Sequence, residues 1–299
     1  MAPDDMAIRY STARELAERH CNRGQFDCRW YHGNWYLLKS LDIVSTAAVH
    51  GHDLSRLLLA ALTAGQQPGS TAQAHILITG STDETMVRLA HETCRQAGID
   101  IQLSAVDICA TPLRFMESYA DSTGVSLNTY RSNILEFSSD QRFDAILTHA
   151  FMGYFDTGER GKLVRKWRSL LKAHGSVVTI QRVRPADSPE LVRFTPDQRQ
   201  RFIDTATKRA ANVIAKAGNN AQYDVAMVKE AATRFAENFR AHSIRSHSEL
   251  EAAFTGAGLV FEILEYGRIS EIDAGAGRVT GPSVPSDAEF AFIIARNPQ

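Results

Sequence analysis

Cysteine, proline and tryptophan are scarce in this chain, at four, nine and three in 299 residues. Cys21, Cys28, Cys94 and Cys109 are too few for a disulfide framework, which suits a reducing, cytoplasmic location. His20, Cys21, Cys28 and His32 lie close in sequence but contain no C-x-x-C pair, and the adjacent first two would crowd one another. The expectation is therefore unbridged thiols packed among helices, with no metal. Long apolar runs are missing too: none approaches the ~20 residues that cross a bilayer. Asp4 and Asp5 stand where a signal peptide would carry positive charge, so no membrane partner is expected. Neither sign of charge dominates, with 33 Lys+Arg against 34 Asp+Glu and a net charge of -1. That balance removes bulk attraction to a polyanion, and no nucleic-acid partner is expected.

What is present reads in three zones. Residues 1–69 form an N-terminal helical lid or extension. Ser11–His20 and Trp35–Val49 have helical apolar spacing, and Asp53 is placed to cap Leu54–Leu62. Gly65–Ser70 reads as a linker.

Residues 70–299 form an α/β domain. His75–Thr79 is a buried strand closed by Gly80, and Ser81 and Glu84 stand at capping-box spacing before the next helix. A second strand, Ile101–Val106, ends at Asp107. Thr111-Pro112 opens a helix that stops at Gly124. Val125–Tyr130, Phe143–Thr148 and Ser176–Val183 are strands three to five, with a helix over Thr157–Leu171. Strands alternating with amphipathic helices predict a doubly wound, Rossmann-like sheet.

A helical insertion over about 186–247 follows, with long helices at Thr195–Lys216 and Asp224–His242. Ser248 and Glu251 suggest a further capping box. Val260–Tyr266 and Glu289–Ala295 then return as closing strands, joined by the glycine- and proline-rich span Asp273–Pro285. Acidic residues interleave with the basic ones along the insertion, as on a solvated face.

In an open α/β sheet, ligands bind beyond the carboxyl ends of the strands. That points to Gly80–Glu84, Asp107 and Asn133–Leu135. The turn at Gly80 places backbone N–H groups at a helix N-terminus, where an anionic group is favoured. It is not a G-x-G-x-x-G, and no P-loop lysine follows, so dinucleotide and nucleoside triphosphate readings lose ground. Asp107 can accept both hydroxyls of a ribose, or merely cap the turn after its strand.

At this point the chain resembles the class I S-adenosylmethionine-dependent methyltransferases. The resemblance rests on His75-Ile-Leu-Ile-Thr-Gly80, Val106-Asp107, Phe143-Asp-Ala-Ile-Leu-Thr148 and Leu170-Leu-Lys-Ala-His-Gly175-Ser, in that order. It implies a seven-stranded sheet whose last strand runs antiparallel, with S-adenosyl-L-methionine as cofactor. It further implies cofactor contacts from Thr79, Gly80, Ser81, Asp83, Asp107, Ile108, Asn133, Ile134 and His149. The first motif departs from the family pattern: Ile78, Gly80, Thr82 and Glu84 stand where an acid and three glycines are usual. Asp83 or Glu84 is the substitute for the missing carboxylate.

The cofactor carries the reactivity, so the protein's task is alignment. His149, directly after strand four, is the candidate general base, with loop orientation as its alternative role. Phe151, Tyr154 and Phe155 either enclose a sulfonium, worth ~0.5–2 kcal/mol, or pack the next helix. In Arg29–Tyr36, Tyr31 and His32 either face the substrate from a lid or belong to an aromatic clasp. Arg182, with Arg184, either clamps a substrate carboxylate or solvates the strand exit. The expected activity is methyl transfer to an O, N or C atom of a small molecule, and a homodimer is compatible with the sequence. A fold that binds the cofactor or another ligand without methyl transfer is the alternative; a nicotinamide-dependent oxidoreductase is disfavoured.

Overall fold

The computed structural model describes residues 3–22, 27–41, 43–44, 50–64, 73–217, 223–268 and 289–299. Its helices are α1 (Pro3–His20), α2 (Arg29–Ser40), α3 (Gly51–Thr63), α4 (Thr85–Gln96), α5 (Ala110–Thr123), α6 (Thr157–Leu170), α7 (Pro196–Ala217), α8 (Val225–Asn238) and α9 (His247–Thr255). Its strands are β1 (Ala74–Thr79), β2 (Ile101–Asp107), β3 (Leu127–Arg131), β4 (Phe143–His149), β5 (Leu171–Val183), β6 (Leu191–Val192), β7 (Ala241–His242), β8 (Val260–Arg268) and β9 (Glu289–Arg296). No described helix is long and apolar enough to cross a membrane.

The main sheet has the order β3-β2-β1-β4-β5-β9-β8. The strands from β1 to β5 pair in parallel, while β9 is antiparallel to both β5 and β8. The expected seven-stranded doubly wound sheet is present. Its central strands are nearly continuous runs of buried residues, as strands covered on both faces require. One sheet face buries Leu77, Ile146, Leu163, Trp167, Val177 and Phe254 in a single apolar cluster.

Local chemistry explains several element ends. Gly124 closes α5 in the left-handed region at φ 72. Asp156 caps α6 by accepting from the Glu159 N–H. At Gly175 an added Cβ would stand 2.7 Å from the Phe143 carbonyl oxygen, so the turn that starts the inner part of β5 needs glycine.

Some local expectations are corrected. α2 spans Arg29–Ser40, starting earlier than Trp35, because the aromatic run itself supplies the buried face of the helix; positions 42 and 45–49 of the expected run lie outside the described residues. Asp53 lies in the first turn of α3 and His50 takes the cap position. The Ser81–Glu84 capping box does not form: Ser81 Oγ donates to the Asp83 carbonyl, and Asp83 accepts from the Thr85 N–H. Cys109 rather than Thr111 caps α5, its sulfur accepting from the Thr111 N–H. Ser246 and Glu249, not Ser248 and Glu251, cap α9. Gly65–Ser70 and Asp273–Pro285 lie outside the described residues.

The chain divides into two compact units. One contains the described residues of Met1–Ser45 together with Leu191–Ala241; the other contains those of Thr46–Glu190, His242–Arg268 and the C-terminal strand. In the first, Leu37, Leu38 and Leu41 of α2 and its cap pack with Phe202, Ala206 and Ala210 of α7 and Val228, Ala231 and Phe235 of α8. In the second, α3 packs against α4, β4, β5 and β9, so it belongs to the sheet rather than to the N-terminal helices.

Candidate cofactor and acceptor site

The carboxyl ends of β1, β2 and β3 bring three predicted segments side by side. The Gly80 N–H donates to the Val106 carbonyl at 3.4 Å, and the Ser132 N–H donates to the Asp107 carbonyl at 3.0 Å. Gly80, Asp107 and Asn133 therefore stand along one edge. Thr148 Oγ1 donates to the Thr79 carbonyl at 2.9 Å and ties the end of β4 into the row.

Each residue has a structural duty there. Asp107 Oδ1 accepts from the Cys109 N–H at 2.8 Å, which realises the capping role; a carboxylate has further lone pairs for a ribose. Ile108 follows as an exposed apolar side chain, 44% accessible. Asn133 Oδ1 accepts from the Leu135 N–H, and Ile134 is in the core. Thr79 Oγ1 is buried directly before the glycine turn and finds no hydrogen-bond partner among the described residues. Asp83 and Glu84 are both buried, at 1% and 2% exposure, in the turn that follows β1.

Gly80 has φ 64, and a Cβ there would fall 2.0 Å from the Phe151 ring. Glycine is thus required twice, by the left-handed backbone and by an aromatic side chain lying against it. Phe151 and Phe155 meet edge to face at 5.2 Å, and both pack with the sheet cluster. Tyr154 is 57% exposed.

At the end of β4, His149 meets a residue that the sequence did not single out. His50 Nδ1 lies 2.9 Å from His149 Nε2. Nothing local marks His50, because its partner is far away in sequence and only the fold joins them. Burial, then the neighbouring His50, pushes the His149 imidazole down to about 3. The ring is consequently neutral near pH 7, and one of the two facing nitrogens carries the shared proton while the other accepts it. The His50 ring also packs on Phe290, 4.6 Å between centroids. Arg182 lies over the Phe290 ring, 5.9 Å from its centroid. Burial and the proximity of Arg184 lower its guanidinium to about 9, so it keeps its charge at neutral pH. Arg184 is likewise lowered, to about 10, by burial.

The structure gathers His50, His149, Arg182 and Phe290 at the ends of β4, β5 and β9. Tyr31 and His32 belong to the other unit. There Tyr31 stacks on Phe235 at 5.9 Å and meets Trp30 and Trp35 in an aromatic cluster.

No protein-family model matches the chain, and no curated protein sequence matches it. Among solved structures, the chain is similar to the N-methyltransferase NodS from Bradyrhizobium japonicum WM9 in complex with S-adenosyl-l-homocysteine. The identity is 14% over 96% of this chain and 99% of that one, with a TM-score of 0.47. It is also similar to magnesium protoporphyrin IX methyltransferase from Synechocystis PCC 6803, at 10% identity over 96% and 94%, TM-score 0.48. A third likeness is to the S-adenosylmethionine-dependent methyltransferase SibL, at 12% identity over 98% and 70%, TM-score 0.46. The observed strand order itself decides the fold, through the antiparallel β9 seated between β5 and β8. This is the class I methyltransferase fold.

Proposed function

We propose that this chain binds S-adenosyl-L-methionine along the carboxyl edge of β1, β2 and β3 and methylates a small-molecule acceptor. The observation that carries the reading is the alignment of the Gly80 turn, Asp107 and Asn133 on adjacent strand ends. Asp107 would hold the ribose hydroxyls, Ile108 would cover the adenine, and Asn133 with Ile134 would border it. Thr79 Oγ1 and the turn Gly80–Ser81 would meet the methionine end, with Asp83 or Glu84 receiving its amino group. The cofactor, when bound, supplies an activated methyl on a sulfonium.

The chain's own contribution is binding and alignment. Arg182 offers a partly buried cation for a carboxylate or similar anion on the acceptor. His149, neutral and held by His50, is suited to hydrogen-bond the acceptor rather than to deprotonate it. A base lowered to about 3 is far below the value that serves proton abstraction at neutral pH. An acceptor already carrying its lone pair at neutral pH fits such a site. Tyr154, exposed in the loop after β4, would be a further acceptor contact.

A second reading keeps the fold without methyl transfer, and the Phe151 ring favours it by lying where the glycine turn would otherwise be open. Calorimetric titration with S-adenosylmethionine, S-adenosylhomocysteine and NAD separates the readings. Binding of both sulfur ligands, lost in Asp107→Ala, is expected. Failure of both to bind tighter than about 1 mM, or tighter binding of NAD, removes the proposal.

A further inference from the structure

Far from the sheet's carboxyl edge in sequence, the α1–α2 hairpin carries three soft ligands whose proximity the activity does not use. Cys21 directly follows α1, Cys28 is the cap residue of α2, and His32 sits in the first turn of α2. The spacing of Cys28 and His32 puts both on one face of the helix start. The thiol of Cys21 reaches the same point from the end of α1. Its Sγ lies 3.4 Å from His32 Nδ1, and the two sulfurs and the imidazole nitrogen all lie within 4.8 Å of one another. Cys21 and His32 are buried, at 6% and 8% exposure, and Cys28 is partly buried. None of the chain's cysteines forms a disulfide among the described residues.

These distances match a known coordination geometry. With Zn–S near 2.3 Å and Zn–N near 2.1 Å, the ligand-to-ligand edge of a tetrahedron is about 3.6 Å. The Cys21–His32 separation is already at that value, and the third ligand needs to move by about 1 Å at most. Two thiols with an imidazole select a thiophilic ion over magnesium or calcium. The adjacency of His20 and Cys21, which argued against a site drawn from sequence, is no obstacle, since His20 is not part of the cluster.

We propose that Cys21, Cys28 and His32 bind a zinc ion that clasps α1 to α2. On binding, the two thiols become thiolates and their two protons pass to solvent, so both sulfurs and the imidazole donate electron pairs and nothing is oxidised. The fourth position goes to water or another donor. The site leaves the cofactor reading untouched in either direction.

The test uses the full chain, purified under reducing conditions. Elemental analysis should give about one zinc per chain, and Co2+ exchanged into the site should show a thiolate-to-metal charge-transfer band with tetrahedral d–d bands. Cys28→Ser and His32→Gln should lower affinity by more than the about tenfold that losing an outer-shell partner costs, while Cys94→Ser keeps it. Affinity should fall as pH falls, because protons compete for the thiolates. Should the variants unfold, chelation of the unmodified chain gives the independent readout: a lowered melting temperature restored by zinc. Absence of zinc together with no charge-transfer band in the reduced chain overturns the proposal. So does a Cys21–Cys28 disulfide in the protein isolated without reductant, if reduction does not then permit Co2+ binding.

Discussion

At the residue scale, the informative pair is His50 and His149. The sequence identified His149 from its place after a strand, but its character depends on His50, which only the fold supplies. A lone imidazole at a strand end is a plausible base; one enclosed beside a second imidazole is a neutral hydrogen-bonding group. The folded-state value of about 3 lies below the roughly 6.5 of an unfolded histidine. The contribution to stability is therefore complete above about pH 6.5 and is lost as pH falls toward about 3, because the unfolded chain takes up the proton first. Urea midpoints measured at pH 7 and pH 5 should drop more in the unmodified chain than in His149→Gln. Equal drops in the two proteins would mean that His149 is not held neutral. Asp107 shows the opposite balance of legibility. Its position at the end of β2 was readable, and so was the choice between cap and ribose ligand; the fold shows the cap bond.

Among elements, strands and long helices were legible because periodicity and burial agree along them. Their ends were less so. Capping residues of similar chemistry stand close together, as Ser246, Ser248, Glu249 and Glu251 do, and tertiary contacts choose among them. Glu249 is chosen because it serves two partners: it completes the α9 cap by accepting from Arg245 N–H, and it pairs with Arg160 of α6. Arg160 is 4% exposed at its side chain and also donates to the Met152 carbonyl in the loop after β4. That ion pair joins α6, α9 and the loop beside His149. Glu249→Ala should lower the unfolding free energy by on the order of 3 kcal/mol, since it strands a buried cation. The double change Arg160→Met with Glu249→Leu should cost markedly less, as measured by denaturant titration. If the double variant is the less stable, the pair itself is a net source of stability and the desolvation argument fails.

At the scale of the whole molecule, the seven-stranded sheet was legible from strand and helix order, while the packing of helices distant in the chain was not: α1 and α2 group with α7 and α8, and α3 packs on the sheet. Such pairing between segments far apart in the chain leaves no local pattern. The same limit hid the Cys21, Cys28 and His32 cluster, whose members were visible but whose approach was not. A crystal structure of the chain with S-adenosylhomocysteine tests the proposed cofactor edge. Ribose hydroxyls should lie within about 3 Å of the Asp107 carboxylate, with the sulfur directed toward His149. A ligand bound elsewhere, or a ribose turned away from Asp107, would contradict it.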